Sequence, residues 1–415
     1  MNQKRNLLIY FTGKTTSDMG SEIQSIALAL FVLDLTKSGL SLALITFAGI
    51  ISALCTMPFA GVISDRWNRK KAMAILDIVH GGLIFIWAFL SLFNMLNMEI
   101  LMIVVVLRGI VYGFFQASAN AFILDIADRN SLRSVNSVAQ TLTGISRIAG
   151  PVLGGILYGL TGITVVFFIN ALSFVISGIS EFFIECKYQK KDGKLNFKKF
   201  FSDFKEGMII IKGIAGLLPM FIFLSILNMI DVPINSVLLP FIGREVLLLS
   251  GIQYGFFTAV YIIGTMASGI FIATLLKKVK SKKIVHIGII AAPAFQILLA
   301  FLIFPEVIAV FAGTITVFLL SLVILFMMGI TDSMVNIPLL TNVQSIIPDH
   351  ARGRVLSLLG ILTAVFTPVG TMIYGLLLDS FPTHIILLVV SIITIILSIV
   401  FMYFIPWKSF EKKQA

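Results

Sequence analysis

Residues 384–405 read HIILLVVSIITIILSIVFMYFI, a run without a single Asp, Glu, Lys or Arg. A helix needs about 20 apolar residues to cross the hydrocarbon core of a bilayer, so this run reads as a membrane span. Similar runs recur along the 415 residues. Only 12% of the residues are charged and 58% are hydrophobic, whereas soluble domains carry about 25% charge. The polar surface is too small to cover a soluble globule. The hydrophobic content equally excludes a disordered chain. The runs are continuous and do not alternate at every second residue, so the spans are helices and not barrel strands.

Segmenting the apolar runs predicts twelve helices, at about 7–34, 39–62, 72–94, 99–125, 135–160, 163–185, 214–242, 250–276, 284–304, 307–345, 353–379 and 384–406. The tenth is too long for one straight span. A cytoplasmic extension or a break near Asn336 and Pro338 would account for the excess. The start, MNQKRNLLIYFTGKTT, is basic, but Lys14 interrupts its apolar run and no small-residue cleavage site follows. It reads as the first span and not as a removed signal peptide. Cys55 and Cys186 give neither a disulfide framework nor zinc spacing. The four histidines are scattered, so no metal site is expected.

The basic residues set the orientation. With the N-terminus in the cytoplasm, 26 of the 31 Lys and Arg fall in inside segments. Outside segments hold only Lys37 and Arg244, and Lys14, Arg108 and Arg147 fall within spans. This positive-inside bias places both termini in the cytoplasm and supports an even number of spans. The net charge of +11 is therefore spread in short strips at helix ends, facing lipid headgroups, and does not point to nucleic acid. The one long polar stretch, residues 187–213, reads as a cytoplasmic basic linker with an amphipathic helix on the membrane surface.

The halves echo each other. GVISDRWNRKK (61–71) has a counterpart in GIFIATLLKKVKSKK (269–283), Asn120 precedes Asn336 by 216 residues, and Gly150-Pro151 matches the region of Pro368 and Gly370. A period near half the chain predicts an all-α membrane protein of two pseudo-symmetric six-helix bundles, residues 1–186 and 214–415, joined by the linker. Many secondary transporters are built this way, with the binding site between repeats near the midplane.

At these residues the sequence resembles the major facilitator superfamily. Gly61-x-x-x-Asp65-Arg66-x-x-Arg69-Lys70-Lys71 resembles its signature loop between the second and third helices, with Asn68 where the family usually has Gly. Leu107-Arg108-Gly109 resembles its membrane-embedded arginine motif. Gly150-Pro151-x-x-Gly154-Gly155 resembles the glycine-proline motif of proton-coupled exporters. The run Glu206-Gly207 … Asn228 … Pro233 … Leu239-Pro240, with Pro348 … Gly353-Arg354, resembles the macrolide-efflux and siderophore-exporter branch. The resemblance implies a cytoplasmic gate built from Gly61, Asp65, Arg66 and Arg69, with Asp125 as a plausible partner. It also implies that Arg108 tunes a nearby carboxylate, and that Gly150, Pro151, Gly154 and Gly155, with Arg147 one turn earlier, form a hinge that disfavours leak. Ordinary tight packing predicts the same small-residue face.

A charge at the bilayer centre costs about 2.5–3.5 kcal/mol on insertion scales, so charges kept there are functional candidates. Lys14, Asp18 and Glu22 recur every four residues and share one helix face. Lys14 can pair with Asp18, which leaves Glu22 to find another partner. Two acids this close in an apolar setting meet the requirement for a carboxyl that exchanges a proton near neutral pH. A purely structural Lys–Asp pair beside a wet vestibule is the alternative. Arg108 and Arg147 stay charged and suit a fixed salt bridge, a tuning role or an anionic substrate. Asp231 and Asp332 are cavity candidates in the second bundle. Asp77 and His80, about one turn apart, could pair structurally. Tyr112, Phe115 or Phe256 could form an apolar wall. Gly13-Lys14-Thr15 lacks the upstream glycine of a phosphate loop, so no ATP is expected.

The expected function is a monomeric secondary transporter, not an enzyme, in a bacterial plasma membrane. It would export small amphipathic, drug- or macrolide-like molecules in exchange for protons, with the proton gradient as energy source and no cofactor. A siderophore or metabolite exporter, a proton-coupled importer and a non-transporting membrane sensor remain as alternatives. The topology is directly testable. Alkaline phosphatase fused after residue 415 should stay inactive while a fluorescent protein fused there should light up. An active phosphatase would invert the orientation.

Overall fold

The computed structural model describes residues 3–64, 67–128, 131–186, 197–214, 216–311 and 314–404, and everything described is helix or short connection. The helices are α1 (Gln3–Thr36), α2 (Gly39–Ser64), α3 (Arg69–Leu92), α4 (Met98–Ile126), α5 (Leu132–Glu181), α6 (Phe197–Gly213), α7 (Leu217–Val246), α8 (Gly251–Thr274), α9 (Ser281–Leu302), α10 (Pro305–Val310), α11 (Thr314–Ile346), α12 (Asp349–Ser380) and α13 (Thr383–Phe404). Eleven helices among the described residues are long and apolar enough to cross a membrane. One of these, α5, runs 50 residues but is broken at Gly162, whose φ of 74° and ψ of −176° are not helical. The break falls where the sequence separates its fifth and sixth spans. Only glycine takes such a backbone without strain.

Of the two explanations for the long tenth span, the break is overturned: α11 runs unbroken for 33 residues through Asn336 and Pro338, and the short α10 precedes it. Neighbouring helices and local adjustments let proline persist inside membrane helices. Pro233 shows one such adjustment: the π-helical turns Ile234–Leu238 and Ile242–Val246 follow it within α7.

Hydrocarbon offers no hydrogen bonds, so polar groups in a span must find partners inside the protein. The hydroxyls do so locally. Ser52 donates to the Ala48 carbonyl at 2.6 Å, Thr56 to Ser52 at 2.7 Å and Ser391 to Leu387 at 2.6 Å. The large side chains that stay outside, such as Leu8, Ile103 and Ile270, are apolar and more than 60% exposed. Lipid is the solvent that accepts them.

The chain divides into two compact units: Met1–Lys37, Leu44–Phe197 and Ser250–Gly255 in one; Ser38–Ala43, Lys198–Leu249 and Phe256–Ala415 in the other. In the first unit α5 packs on both α1 and α3, and α3 also packs on α4. In the second, α9 packs on α11 and α13, and α7 on α12. Glycines set the closest approaches. A Cβ on Gly178 would lie 2.7 Å from the Ala74 carbonyl oxygen, and one on Gly81 would lie 2.8 Å from that of Ala171, so α3 and α5 meet backbone to backbone.

The linker helix differs from the expectation of a free surface helix. Residues 187–196 lie outside the described residues, but α6 docks on α12. Ile211 is buried with Val355 and Leu358, and Phe204, Met208 and Ile210 pack against the same core. Arg354 Nη1 meets Glu206 Oε2 at 2.6 Å. The apolar face that sequence assigns to lipid is thus partly covered by protein.

The glycine contacts predict a contrast. Gly178→Ala should lower stability by about 1–3 kcal/mol through overpacking. Gly82→Ala, with nothing within 4 Å of its Cβ, should be neutral or stabilising by up to about 1 kcal/mol. Thermal unfolding in detergent measures both, and equal losses would show that the close approach does not matter.

Candidate functional site

The stripe on α1 forms as its spacing requires. Lys14 Nζ lies 3.1 Å from both carboxylate oxygens of Asp18. Glu22 is half-buried against the first arm of α5, where a Cβ on Gly150 would collide with the Glu22 Cβ. Gly154 sits in the same way on the backbone of Ile23. These two glycines bring Arg147, three residues before Gly150, within electrostatic reach of Glu22. Arg147 is exposed on α5 and acts on Glu22 through charge alone, without the direct contact that Lys14 makes to Asp18. Gly155 and Gly251 also approach backbone to backbone, and Ser250–Gly255 belongs to the first unit for that reason.

A second acidic cluster lies behind the stripe. Asp77 on α3 is 1% exposed and Glu181, at the end of α5, is 2% exposed. Neither oxygen of Asp77, nor Glu181 Oε2, has a hydrogen-bond partner among the described residues. The two acids and Lys14 lie within electrostatic reach of one another, and Asp18 is close to Asp77. The sequence reading missed Glu181. The signal was present, because it is an acid inside the predicted 163–185 span. The predicted Asp77–His80 pair does not form. His80 Nε2 accepts from Arg108 Nε at 2.9 Å, and its ring stacks on Phe174 at 4.2 Å. Arg108 also lies over the Trp87 ring at 5.2 Å. The expected carboxylate beside Arg108 is thus replaced by a neutral imidazole nitrogen and an aromatic face. Below these groups Asn170 donates to Gln24 at 2.6 Å, a buried bond between α5 and α1.

Of the predicted gate, Asp65 and Arg66 lie outside the described residues. Arg69 Nη1 reaches both carboxylate oxygens of Asp125, at 3.0 and 3.1 Å. Each charge opposes its own helix dipole, a cation at the start of α3 and an anion in the last turn of α4, and pairing relieves both. Asn68 caps α3 and accepts from the Lys71 N–H at 3.2 Å. Its φ of −65° does not call for the glycine that the resemblance expects there. Of the proposed wall residues, Phe115 is buried in the core with Tyr10 and Phe122, whereas Tyr112 and Phe256 are over 40% exposed.

The second unit carries a partly open cavity of about 140 Å³ that both Asp231 and Asp332 line. Glycines place its walls. Gly264 on α8 and Gly329 on α11 each meet the facing backbone closely, at Phe326 and at Tyr261 respectively. This brings the Tyr261 hydroxyl to 2.8 Å from Asp332 Oδ2, to which it donates. Asn235 Nδ2, on the first π-turn, donates to the Tyr261 oxygen at 3.3 Å and to the Asp231 carbonyl at 3.0 Å. Gln296 on α9 completes the polar lining beside Asp231.

A profile of the Major Facilitator Superfamily matches residues 10–358 and 221–415. The chain belongs to that superfamily. Macrolide efflux protein A of Streptococcus pyogenes is 24% identical over 390 residues, covering 91% of this chain and 90% of its own. The Staphyloferrin A transporter of Staphylococcus aureus is 22% identical over 410 residues, 96% of each chain. A bacterial homologue of the iron transporter ferroportin, in an inward-facing state, superposes with a TM-score of 0.72 at 14% identity, over 97% of this chain and 100% of its own, which shows the fold alone. This facilitator is a multi-pass membrane transporter with efflux-pump relatives, and not an enzyme.

Buried acids without hydrogen-bond partners cost stability. Asp77→Asn and Glu181→Gln in this facilitator should therefore raise the unfolding temperature in detergent, a gain of about 1–3 kcal/mol. A lowered temperature would show that the acids hold the helices together.

Proposed function

We propose that the protein exports small amphipathic molecules across a bacterial plasma membrane in exchange for protons, with Asp18 and Glu22 as the groups that take up and release the proton. The observation that carries this reading is the placement of the two acids. Each sits inside a span, half-buried, with one basic neighbour: Lys14 for Asp18 and Arg147 for Glu22. A carboxylate kept in the membrane beside a fixed cation can lose its proton without becoming an isolated charge. It can also regain the proton and release its partner. Protonation then changes which helix contacts are favourable. Efflux relatives that match nearly the whole chain support export as the direction.

Coupling needs only that proton and substrate prefer opposite access states, since a ligand shifts an equilibrium by its difference in affinity between states. The proton gradient then supplies the energy, no ATP or cofactor takes part, and a monomer suffices. Both termini face the cytoplasm, where Arg69 and Asp125 bias the gate. Asp77 and Glu181 extend the acidic path behind Lys14. A second reading, export of a siderophore, is favoured by the relative named Staphyloferrin A transporter. A susceptibility panel of drugs, dyes and siderophores in cells with and without the gene separates the two.

The mechanism predicts a split between coupled and uncoupled transport. In inside-out vesicles Asp18→Asn or Glu22→Gln should abolish uptake driven by a proton gradient while downhill counterflow persists. Full gradient-driven rates in both variants would place the coupling elsewhere. Uptake into right-side-out vesicles alone would make the protein an importer.

A further inference from the structure

The cavity of the second unit has a chemistry that proton exchange on α1 leaves unused. Its lining brings together Asp231 and Asp332, and among the described lining residues there is no Lys, Arg or His. This separates it from the first unit, where each acid of the stripe has a basic neighbour. Two acids facing one membrane-embedded space without a cation are electrostatically incomplete. The remaining polar wall consists of oxygen-bearing neutral groups: Asn228, Asn235, Gln296, Asn336 and the Tyr261 phenol. Ser398 lines the same space, is 1% exposed, and its Oγ has no hydrogen-bond partner among the described residues. A buried hydroxyl left unpaired at a cavity wall marks a position where a ligand atom or water belongs.

We propose that this cavity holds the positively charged headgroup of the exported molecule, a protonated amine or quaternary ammonium seated between Asp231 and Asp332. The inference rests on the export reading and adds the substrate class. Size limits what enters. Pockets that bury a whole drug span about 300–1,000 Å³, and this one has about 140 Å³, room for an alkylammonium head but not for the body of such a molecule. Leu227, Val232, Ile289 and Val335 line the same cavity and give alkyl substituents an apolar wall. Tyr261 has a double role. Its hydroxyl fixes one carboxylate oxygen of Asp332, so the carboxylate is oriented before the cation arrives, and its ring offers a π-face. Pre-orientation lowers the entropy cost of binding. A purely structural pair of acids, serving only to tie α7, α8 and α11 together, would not need the open volume.

The test is equilibrium binding of radiolabelled benzyltrimethylammonium to the purified full chain in detergent. Binding should be competed by tetramethylammonium and not by neutral benzyl alcohol. Asp231→Asn or Asp332→Asn should weaken it by about tenfold or more, the size expected for loss of a charged contact, while Glu306→Gln, at an exposed acid on α10 outside the cavity lining, leaves it unchanged. Asparagine variants that bind as the unaltered protein does, equal competition by benzyl alcohol, or no cation binding at all would each overturn the proposal. Should the asparagine variants fail to purify as single species, Asn336→Cys, at an exposed position of the same lining, gives an independent readout with both acids intact. Benzyltrimethylammonium should slow its labelling by N-ethylmaleimide several-fold, and an unchanged labelling rate would overturn the proposal. Cation binding at these acids in a protein that shows no exchange in vesicles would uphold the site and sink the export reading alone.

Discussion

The absence of hydrogen-bond partners in hydrocarbon governs this structure. It forces the backbone into helices and makes the hydroxyls of Ser52, Thr56 and Ser391 bond back to their own helix. It also removes the hydrophobic effect as a force between helices, since lipid is as apolar as leucine. Close packing must then hold the bundle together, and close packing needs small residues. Gly81 and Gly178 bring α3 onto α5, Gly150 and Gly154 bring α5 onto α1, and Gly264 and Gly329 bring α8 onto α11. Each of these approaches carries a polar group with it. Gly150 sets Arg147 near Glu22, Gly178 sits beside the Cβ of Asp77, and Gly329 sets Tyr261 against Asp332. The residues that make packing possible are the ones that position the chemistry.

The two units solve the burial of acids differently. In the first, the stripe acids have basic neighbours, with Lys14 at 3.1 Å from Asp18 and Arg147 within reach of Glu22, while the buried Asp77 and Glu181 share only Lys14. In the second, Asp231 and Asp332 are offered a phenol, amides and a serine but no base. An acid with a fixed cation suits exchange of a proton, because the cation stays behind when the proton leaves. An acid pair without one suits a ligand that brings its own charge. On the readings proposed above, one unit would handle the coupling ion and the other the substrate's headgroup, so competition between them would be indirect and mediated by the access state.

Most of the fold is legible in the sequence because a membrane span is a property of a contiguous run. The helices of both units follow the apolar segments, and the Lys14–Asp18 contact follows from i, i+4 spacing alone. Side-chain pairing across helices is not legible in this way. Asp77 and His80 share a face of α3 by i, i+3 spacing, yet His80 pairs with Arg108 on α4, a partner that spacing along one helix does not reveal. Glu181 escaped notice for a related reason. An acid near a span end looks like a loop residue until the structure shows it 2% exposed beside Asp77 and Lys14. The break suggested near Pro338 does not form, because in a bundle the neighbouring helices absorb the cost of a proline.

On the proposed reading, the larger magnitudes belong to the acids in the spans and the smaller ones to the Arg69–Asp125 contact. The Arg69–Asp125 pair is partly exposed, with 34% of the Asp125 side chain accessible. Such a pair contributes about 0–1 kcal/mol, which shifts a two-state equilibrium by no more than about fivefold. Turning a population from 1:99 to 99:1 takes about 5.5 kcal/mol. This contact by itself would trim the balance between access states and not impose it. Neutralising or pairing a charge inside the membrane is worth about 2.5–3.5 kcal/mol on insertion scales, so two such events reach the required size. Asp18 and Glu22 in the first unit and Asp231 and Asp332 in the second are two pairs of acids in spans. Loading either pair would carry enough free energy to set the access state, with the Arg69–Asp125 contact as a correction to it.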